Sequence, residues 1–158
     1  MRKGAKDAIA VRGFARFQLV DSETGKPLGR PSKWYRNTVV NLGFAYYVCG
    51  SIGAISNSTQ VTYMAIGTGT APGAADTSLQ GEVGARATTN NSVMSSKTLQ
   101  TTTQFAGSTL TAFPVTIQNV ALVNTSSGGT ILSGTTYATS QWNSNQNVNA
   151  TYQLRFSA

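Results

Sequence analysis

The end of the chain alternates strictly between two kinds of side chain. From Val148 to Phe156 every second residue is apolar, and the residues between them are Asn149, Thr151, Gln153 and Arg155. Side chains of a β-strand point alternately to the two faces of a sheet. This period of two therefore predicts a strand with one face in a core and the other in solvent. An amphipathic helix would need a period of about 3.6 residues.

The rest of the chain carries further segments of this type, separated by turn signals. Gly- and Ser-rich clusters at 106–108 and 126–129 mark hairpins, and abundant Thr favours strands because its branched Cβ packs well on a pleated surface. The predicted strands are 14–19, 33–40, 61–66, 87–94, 98–105, 109–117, 120–124, 130–133 and 148–156. We expect an all-β fold, either an antiparallel β-sandwich or a jelly-roll-like domain.

One segment has helical character. Asn41 is placed to cap a short helix over residues 42–52, and a single helical turn is expected over 76–82. Apolar side chains cover more than one side of the 42–52 helix, so we expect it to be buried nearly all round, against a sheet or a second subunit. The residues expected in this packing are Phe44, Tyr47 and Val48. Cys49 lies in the same apolar run and is expected to be a buried, inert thiol.

Positive charge is concentrated at the start of the chain. Nine of the twelve Lys and Arg residues lie in the first 36 positions, and the net charge is +7. We therefore expect a basic N-terminal arm over residues 1–13, followed by one β-rich domain over 14–158. The arm residues that would bind a partner are Arg2, Lys3, Lys6 and Arg12. A solvated tail is the alternative, and nucleic acid ranks behind both because no aromatic residue is interleaved with these charges.

The second half of the chain is nearly free of ionised groups. From Val83 onward it has three positive charges, Arg86, Lys97 and Arg155, and no negative one. A weakly charged surface resists association poorly. We therefore expect this half to bury surface against copies of the chain, as a dimer or trimer, or against other proteins. A neutral polar surface facing solvent is the alternative.

Side chains on which most enzymes depend are scarce. The chain has no His and one Cys, so it lacks the commonest general base and the usual metal ligands. The carboxylate pairs at 21 and 23 and at 76 and 82 could serve a glycosidase, but turn and cap positions explain both. The 67–69 loop lacks the third glycine of a dinucleotide-binding turn. We expect no catalytic site, no metal and no cofactor.

The sequence contains no recognisable targeting or membrane-spanning segment. Its start is basic, but no apolar run follows, and the longest apolar stretch, 42–49, is too short to cross a bilayer. We therefore expect a soluble protein that is made in the cytoplasm and has no membrane partner.

Several short motifs follow one another in a recognisable order. They are the segments Asn37–Gly43, Gly67–Pro72, Asp76–Leu79 with Glu82 and Arg86, and Val148–Phe156. In this order, residues 37–157 resemble small virion structural proteins of tailed bacteriophages. The resemblance implies a non-enzymatic part of a phage particle, located in the virion, whose partners are the major capsid protein or tail proteins.

The resemblance leaves the place in the particle open. A capsid decoration (cement) protein, stabilising the head through its β-domain and arm, is the first interpretation. A tail fibre, tail-tip or baseplate subunit is the second. A carbohydrate-binding sandwich that stacks sugars on Trp34, Trp142 and nearby Tyr side chains is a third, from another class. Glu82 and Arg86 are expected to form an ion pair if their segment is helical, or to reach neighbouring strands otherwise.

Overall fold

The chain folds into two antiparallel β-sheets packed face to face. The computed structural model describes residues 10–53, 59–110 and 112–157. The strands are β1 (Ala10–Asp21), β2 (Tyr35–Arg36), β3 (Thr38–Val39), β4 (Tyr63–Gly67), β5 (Glu82–Thr88), β6 (Asn90–Ser95), β7 (Thr98–Ala106), β8 (Val115–Val123), β9 (Ile131–Trp142) and β10 (Gln146–Ser157). Sheet A has the order β2-β1-β10-β7-β6, and sheet B has the order β3-β9-β8-β4-β5. The predicted all-β antiparallel sandwich is confirmed.

The terminal strand β10 lies at the centre of sheet A. It pairs with β1 over its whole length and with β7 on its other side. Val148, Ala150, Tyr152 and Leu154 are buried, whereas the residues between them are half-buried or exposed. The buried side packs with residues of sheet B in one apolar cluster. The alternation in the sequence therefore predicted correctly which side of this strand forms the core.

Sheet B is covered on both faces. Most of β4 and the second half of β8 are buried without alternation. One face meets sheet A, while Val40 and Leu79 pack on the other face against Ala65, Ala121 and Val123. Strands buried on both faces form continuous apolar runs instead of alternating ones. Among the described residues, no apolar cluster of this kind covers the outer face of sheet A, so the two sheets present different surfaces.

Two predicted strands cross from one sheet to the other. The predicted strand 33–40 is divided at Asn37 into β2, which pairs with β1, and β3, which pairs with β9. Similarly, 87–94 is divided at Thr89 between β5 in sheet B and β6 in sheet A. A strand that changes sheets bends at the corner. Each continuous prediction therefore becomes two short strands.

The predicted helix is present, but its burial differs from the expectation. It consists of a π-helical segment, Gly43–Cys49, followed by α1, Gly50–Gly53. Burial nearly all round is wrong within the protomer, because Tyr47 is buried while Phe44 is 39% exposed. One side lies close to β9, where a Cβ on Gly43 would be 2.1 Å from the carbonyl oxygen of Leu132. The helix therefore packs on the sheet by one side.

Two further details of this helix correct the sequence analysis. Leu42 occupies the N-cap position and no side chain caps it, so Asn41 does not have the expected capping role. Cys49 is exposed, because it lies on the side of the helix that faces away from the sheet. The prediction of a buried thiol is therefore wrong.

The segment between β4 and β5 is a loop without the expected helical turn at 76–82. Asn119 holds it in place, since its Nδ2 donates to the carbonyl oxygens of Thr70 and Gln80 at 2.8 and 2.9 Å. Asp76 accepts a hydrogen bond from the backbone N–H of Gly73 at 2.9 Å. These bonds hold the segment in its loop conformation.

The predicted strands at 109–117 and 120–124 also change. Residues Gly107–Thr109 form a 3-10 turn, and β8 runs without interruption from Val115 to Val123. Pro114 lacks a backbone N–H and cannot donate to a strand ladder. The pairing therefore begins after it.

Candidate interaction surfaces

An apolar groove lies between the helix and sheet A. Its volume is about 370 Å³. The helix contributes Tyr47, Val48 and Ile52, and sheet A contributes Leu99, Leu154 and Phe156. The side chain of Ile52 is 82% exposed. An exposed cluster of apolar side chains marks an interaction site more often than a single exposed apolar residue does.

The edge strand β6 continues this apolar surface. Each of its residues is exposed, and the exposed fractions of Val93 and Met94 are 76% and 58%. Val93 pairs with Leu99, which lines the groove. On its other side β6 has no strand partner among the residues that the structure describes.

The edge of β6 lacks most of the usual protection against pairing. Edge strands are commonly guarded by charged residues, Pro or a bulge. Residues Asn90–Ser95 contain no charge and no Pro, and an irregularity in pairing occurs only between Val93 and Ser95. Before this irregularity β6 pairs regularly with β7, and no described strand pairs with its other edge.

The predicted arm is only partly described. Arg2, Lys3 and Lys6 lie outside the described residues. Arg12 lies inside β1, opposite Arg155 of β10. Strand β1 therefore includes residues 10–13, which were predicted to belong to the arm.

Glu82 and Arg86 form a bidentate ion pair. Arg86 Nε lies 2.6 Å from Glu82 Oε1, and Arg86 Nη2 lies 2.8 Å from Oε2. Arg86 Nη1 also donates to the carbonyl oxygens of Thr125 and Gly128 in the β8–β9 turn. Hydrogen bonds to Glu82 raise the pKa of Arg86 above its ordinary value. The pair thus fastens β5 to a neighbouring hairpin, and a structural role accounts for all of these contacts.

The residues assigned to helix packing have different environments. Tyr47 is buried, its hydroxyl donates to the carbonyl oxygen of Thr130, and burial raises its pKa. Val48 is half-buried and lines the groove, whereas Phe44 lies apart from the groove beside Val39. Their part in subunit packing stays a prediction.

The two tryptophans are not a matched pair of stacking platforms. Trp142 is 1% exposed, and its Nε1 donates to the carbonyl oxygen of Gln146 at 2.7 Å. Trp34 is half-buried, and the guanidinium of Arg16 lies 5.0 Å from its ring centroid. A sugar could not lie flat on Trp142, so the carbohydrate-binding hypothesis loses one of its stacking platforms.

A second cavity lies near the other end of β10. It has a volume of about 240 Å³ and is lined by Phe17, Tyr35, Tyr137 and Val148. Phe17 and Tyr137 stack with their ring centroids 3.8 Å apart. Burial raises the pKa of Tyr137 well above its ordinary value. The hydroxyl of this buried tyrosine therefore stays protonated at ordinary pH values.

Ligands for a metal do not converge in the described part of the chain. Within residues 10–53, 59–110 and 112–157, no three His, Cys, Asp or Glu side chains lie close enough to hold an ion. In the same residues, no helix has the length and hydropathy needed to cross a membrane.

The described residues thus form a small antiparallel sandwich in which the edge strand β6 is uncharged and pairs with a strand on one side. Comparisons of the chain with family models, with curated proteins and with solved structures give no match. The exposure of Ile52, Val93 and Met94 was not predicted from the sequence. The signal that could have found the last two is the run from Asn90 to Ser96, where two apolar residues lack the alternation of a half-buried strand.

Proposed function

We propose that this chain is a non-enzymatic structural protein of a bacteriophage particle. Within that class we favour a capsid decoration protein that binds the head through its β-domain and N-terminal segment. The order of motifs from Asn37 to Phe156 supports the class.

The β6 edge is the observation that carries the proposal. A regular unpaired strand can accept another strand by backbone hydrogen bonds, and adjacent apolar side chains then strengthen the pairing. The occupant that we assign is a second copy of this chain. Antiparallel pairing of two β6 strands is two-fold symmetric, and such closed pairs are the commonest assemblies. Because β6 carries no charge, two chains of net charge +7 can meet there without placing like charges opposite each other.

Analytical ultracentrifugation over a range of concentrations tests this pairing. The unaltered chain is expected to form a dimer. Val93→Lys is expected to weaken dimerisation about a hundredfold, because the dimer would bury two unpaired ammonium groups. Ser126→Lys adds the same charge in the exposed β8–β9 turn and is the matched control. A chain that is monomeric throughout, or a dimer that tolerates Val93→Lys, would contradict the assigned edge.

The number of copies per purified particle tests the place in the virion. Quantitative mass spectrometry is expected to find hundreds of copies for a head decoration protein. A few to a few dozen copies would favour the alternative, a tail fibre, tail-tip or baseplate subunit. Deleting residues 2–9, which leaves β1 whole, is expected to lower the number of bound copies on heads. Absence of the chain from particles would reject the whole proposal.

A further inference from the structure

The outer face of sheet A gathers four arginines that are far apart in the sequence. Arg12 and Arg16 lie on β1, Arg36 lies on β2, and Arg155 lies on β10. The register places Arg12 opposite Arg155, and Phe14 opposite Arg36. Residues directly opposite in antiparallel strands share a face, so these four side chains form one basic surface. We call it the arginine face.

The arginine face has no acidic partner within the described residues. The ion pair found there is Glu82–Arg86, which belongs to sheet B. Two like charges directly opposite each other destabilise an antiparallel pair. Repulsion between Arg12 and Arg155 therefore destabilises the free chain. A bound anion would offset this repulsion.

Aromatic rings lie between the arginines. Phe14 and Trp34 are both half-buried. The guanidinium of Arg155 is 4.7 Å from the centroid of Phe14, and that of Arg16 is 5.0 Å from the centroid of Trp34. These distances are within the range of cation–π attraction. These contacts place charged guanidinium groups and apolar aromatic rings side by side on the arginine face.

The remainder of this face is made of neutral side chains that can both donate and accept hydrogen bonds. Gln153 Nε2 donates to Gln100 Oε1 at 2.9 Å, and Gln104 Nε2 donates to Asn149 Oδ1 at 2.8 Å. These pairs extend the surface across β10 and β7. They add hydrogen-bonding capacity without adding negative charge.

We propose that the arginine face binds single-stranded nucleic acid. Arginines would contact phosphates, because the guanidinium fork fits phosphate oxygens in pairs. Bases would stack on Phe14, Trp34 and the guanidinium planes. The sequence analysis ranked nucleic acid low because the first thirteen residues lack aromatic side chains. The fold changes this, since pairing of β1 with β2 and β10 supplies the interleaved rings.

Two other partners fit this face less well. An acidic protein surface would satisfy the charges but would not need the aromatic rings. A duplex keeps its bases stacked, so only its phosphates could be reached from a flat sheet. The proposal needs no phage particle, so its failure would leave the virion proposal untouched.

Fluorescence anisotropy with labelled oligo-dT tests the proposal. The full chain is expected to bind the strand at low salt, with an affinity that falls as salt rises because binding releases counterions. A duplex of mixed sequence is expected to bind more weakly. Poly-L-glutamate is the competitor for acidic protein surfaces and is expected to displace the strand poorly.

Matched variants separate charge from stacking. Arg36→Gln with Arg155→Gln is expected to lower the salt-dependence slope by about 1.4, from a slope of about 0.7 per phosphate contact. Lys26→Gln removes one charge from the exposed loop that follows β1, outside the face, and is expected to leave the slope unchanged. Phe14→Leu with Trp34→Leu is expected to weaken binding about tenfold without changing the slope.

Three results would overturn the proposal. The first is failure of oligo-dT to bind at low salt. The second is tighter binding of the duplex than of the single strand. The third is equal binding of poly-L-glutamate together with full affinity in the Phe14→Leu, Trp34→Leu variant, which would assign the face to acidic protein surfaces. Circular dichroism and thermal melting verify that each variant is folded.

Discussion

At the scale of single residues, Asp21 shows how the turn after β1 is fixed. Its Oδ1 accepts hydrogen bonds from the backbone N–H and the hydroxyl of Thr24, both at 2.7 Å, and from the backbone N–H of Glu23 at 3.2 Å. Gly25 then takes a left-handed conformation with φ of +67°, which a residue without Cβ adopts at no steric cost. The sequence 21–27 predicted this turn, because Asp and Gly favour such positions.

The bonds at Asp21 make its pKa a test of the turn. The hydrogen bonds from Thr24 lower the pKa of Asp21 from its ordinary value of 3.8. Because the pKa of Asp21 is lower in the folded chain than in the unfolded chain, its ionised form stabilises the fold above pH 3.8. This stabilisation is lost as the pH falls through the pKa of the folded chain. Thr24→Val removes the hydroxyl donor and is expected to raise the pKa of Asp21 toward 3.8. A carbon-detected NMR titration measures this directly.

A neighbouring substitution provides the control for this titration. Ser22→Ala leaves each of the bonds to Asp21 Oδ1 in place and is expected to leave its titration unchanged. If Thr24→Val and the unaltered chain titrate alike at Asp21, the hydroxyl bond does not exist in solution.

At the scale of single elements, β5 explains how a pair spaced for a helix forms in a strand. Met64 of β4 pairs with Ala87, but Ile66 pairs with Val83, so extra residues of β5 bulge out between these positions. Gly84 lies in the bulge with φ of +66°. The bulge shortens the distance along the strand and lets Arg86 reach Glu82. Bulges commonly re-aim side chains in this way.

Gly84→Ala tests the importance of this bulge. A Cβ at residue 84 would lie 2.8 Å from Leu110 Cδ2, and the left-handed backbone is strained for any residue with a Cβ. The substitution is expected to lower the free energy of unfolding by about 1–2 kcal/mol, measured by urea denaturation. Gly73→Ala is the control, because its nearest contact would be 3.9 Å away and its φ is not positive. Equal stability of both variants would show that the bulge tolerates a side chain.

Elements whose structure follows from their own residue pattern could be predicted from the sequence. Elements whose structure depends on packing against a distant part of the chain could not. The alternation in β10 identified its buried side because both faces differ along the whole strand. The corners at Asn37 and Thr89 depend on where a second sheet lies, which no short window encodes. Cys49 was misplaced because an apolar run does not tell which side of a helix meets the sheet.

At the scale of the whole molecule, the two sheets differ in what covers them. Sheet B is covered outside by Val40 and Leu79, whereas the outer face of sheet A carries Arg12, Arg16 and Arg155 and has no such apolar cover among the described residues. The sequence showed that basic residues are concentrated near its start. It could not show that Arg155 joins them, because that depends on the register between β1 and β10.

Polar side chains in the interior link the two sheets. The hydroxyl of Tyr152, from β10 of sheet A, lies 2.9 Å from Ser133 Oγ of β9 in sheet B. The same hydroxyl accepts a hydrogen bond from Asn37 Nδ2, at the corner where the chain changes sheets. Burial raises the pKa of Tyr152 well above its ordinary value, so the hydroxyl stays protonated. Buried polar groups of this kind are costly unless their partners are present.

Tyr152→Phe removes this link without opening a cavity. Ser133 and Asn37 would each lose a buried partner, and an unsatisfied buried group costs about 1–3 kcal/mol. We expect a loss of that size in the free energy of unfolding, with an unchanged dependence on urea concentration because the surface exposed on unfolding stays the same. Tyr46→Phe, at a position 38% exposed, is the matched control and is expected to change stability by less than about 0.5 kcal/mol. If both variants unfold at the same urea concentration as the unaltered chain, apolar packing alone joins the sheets.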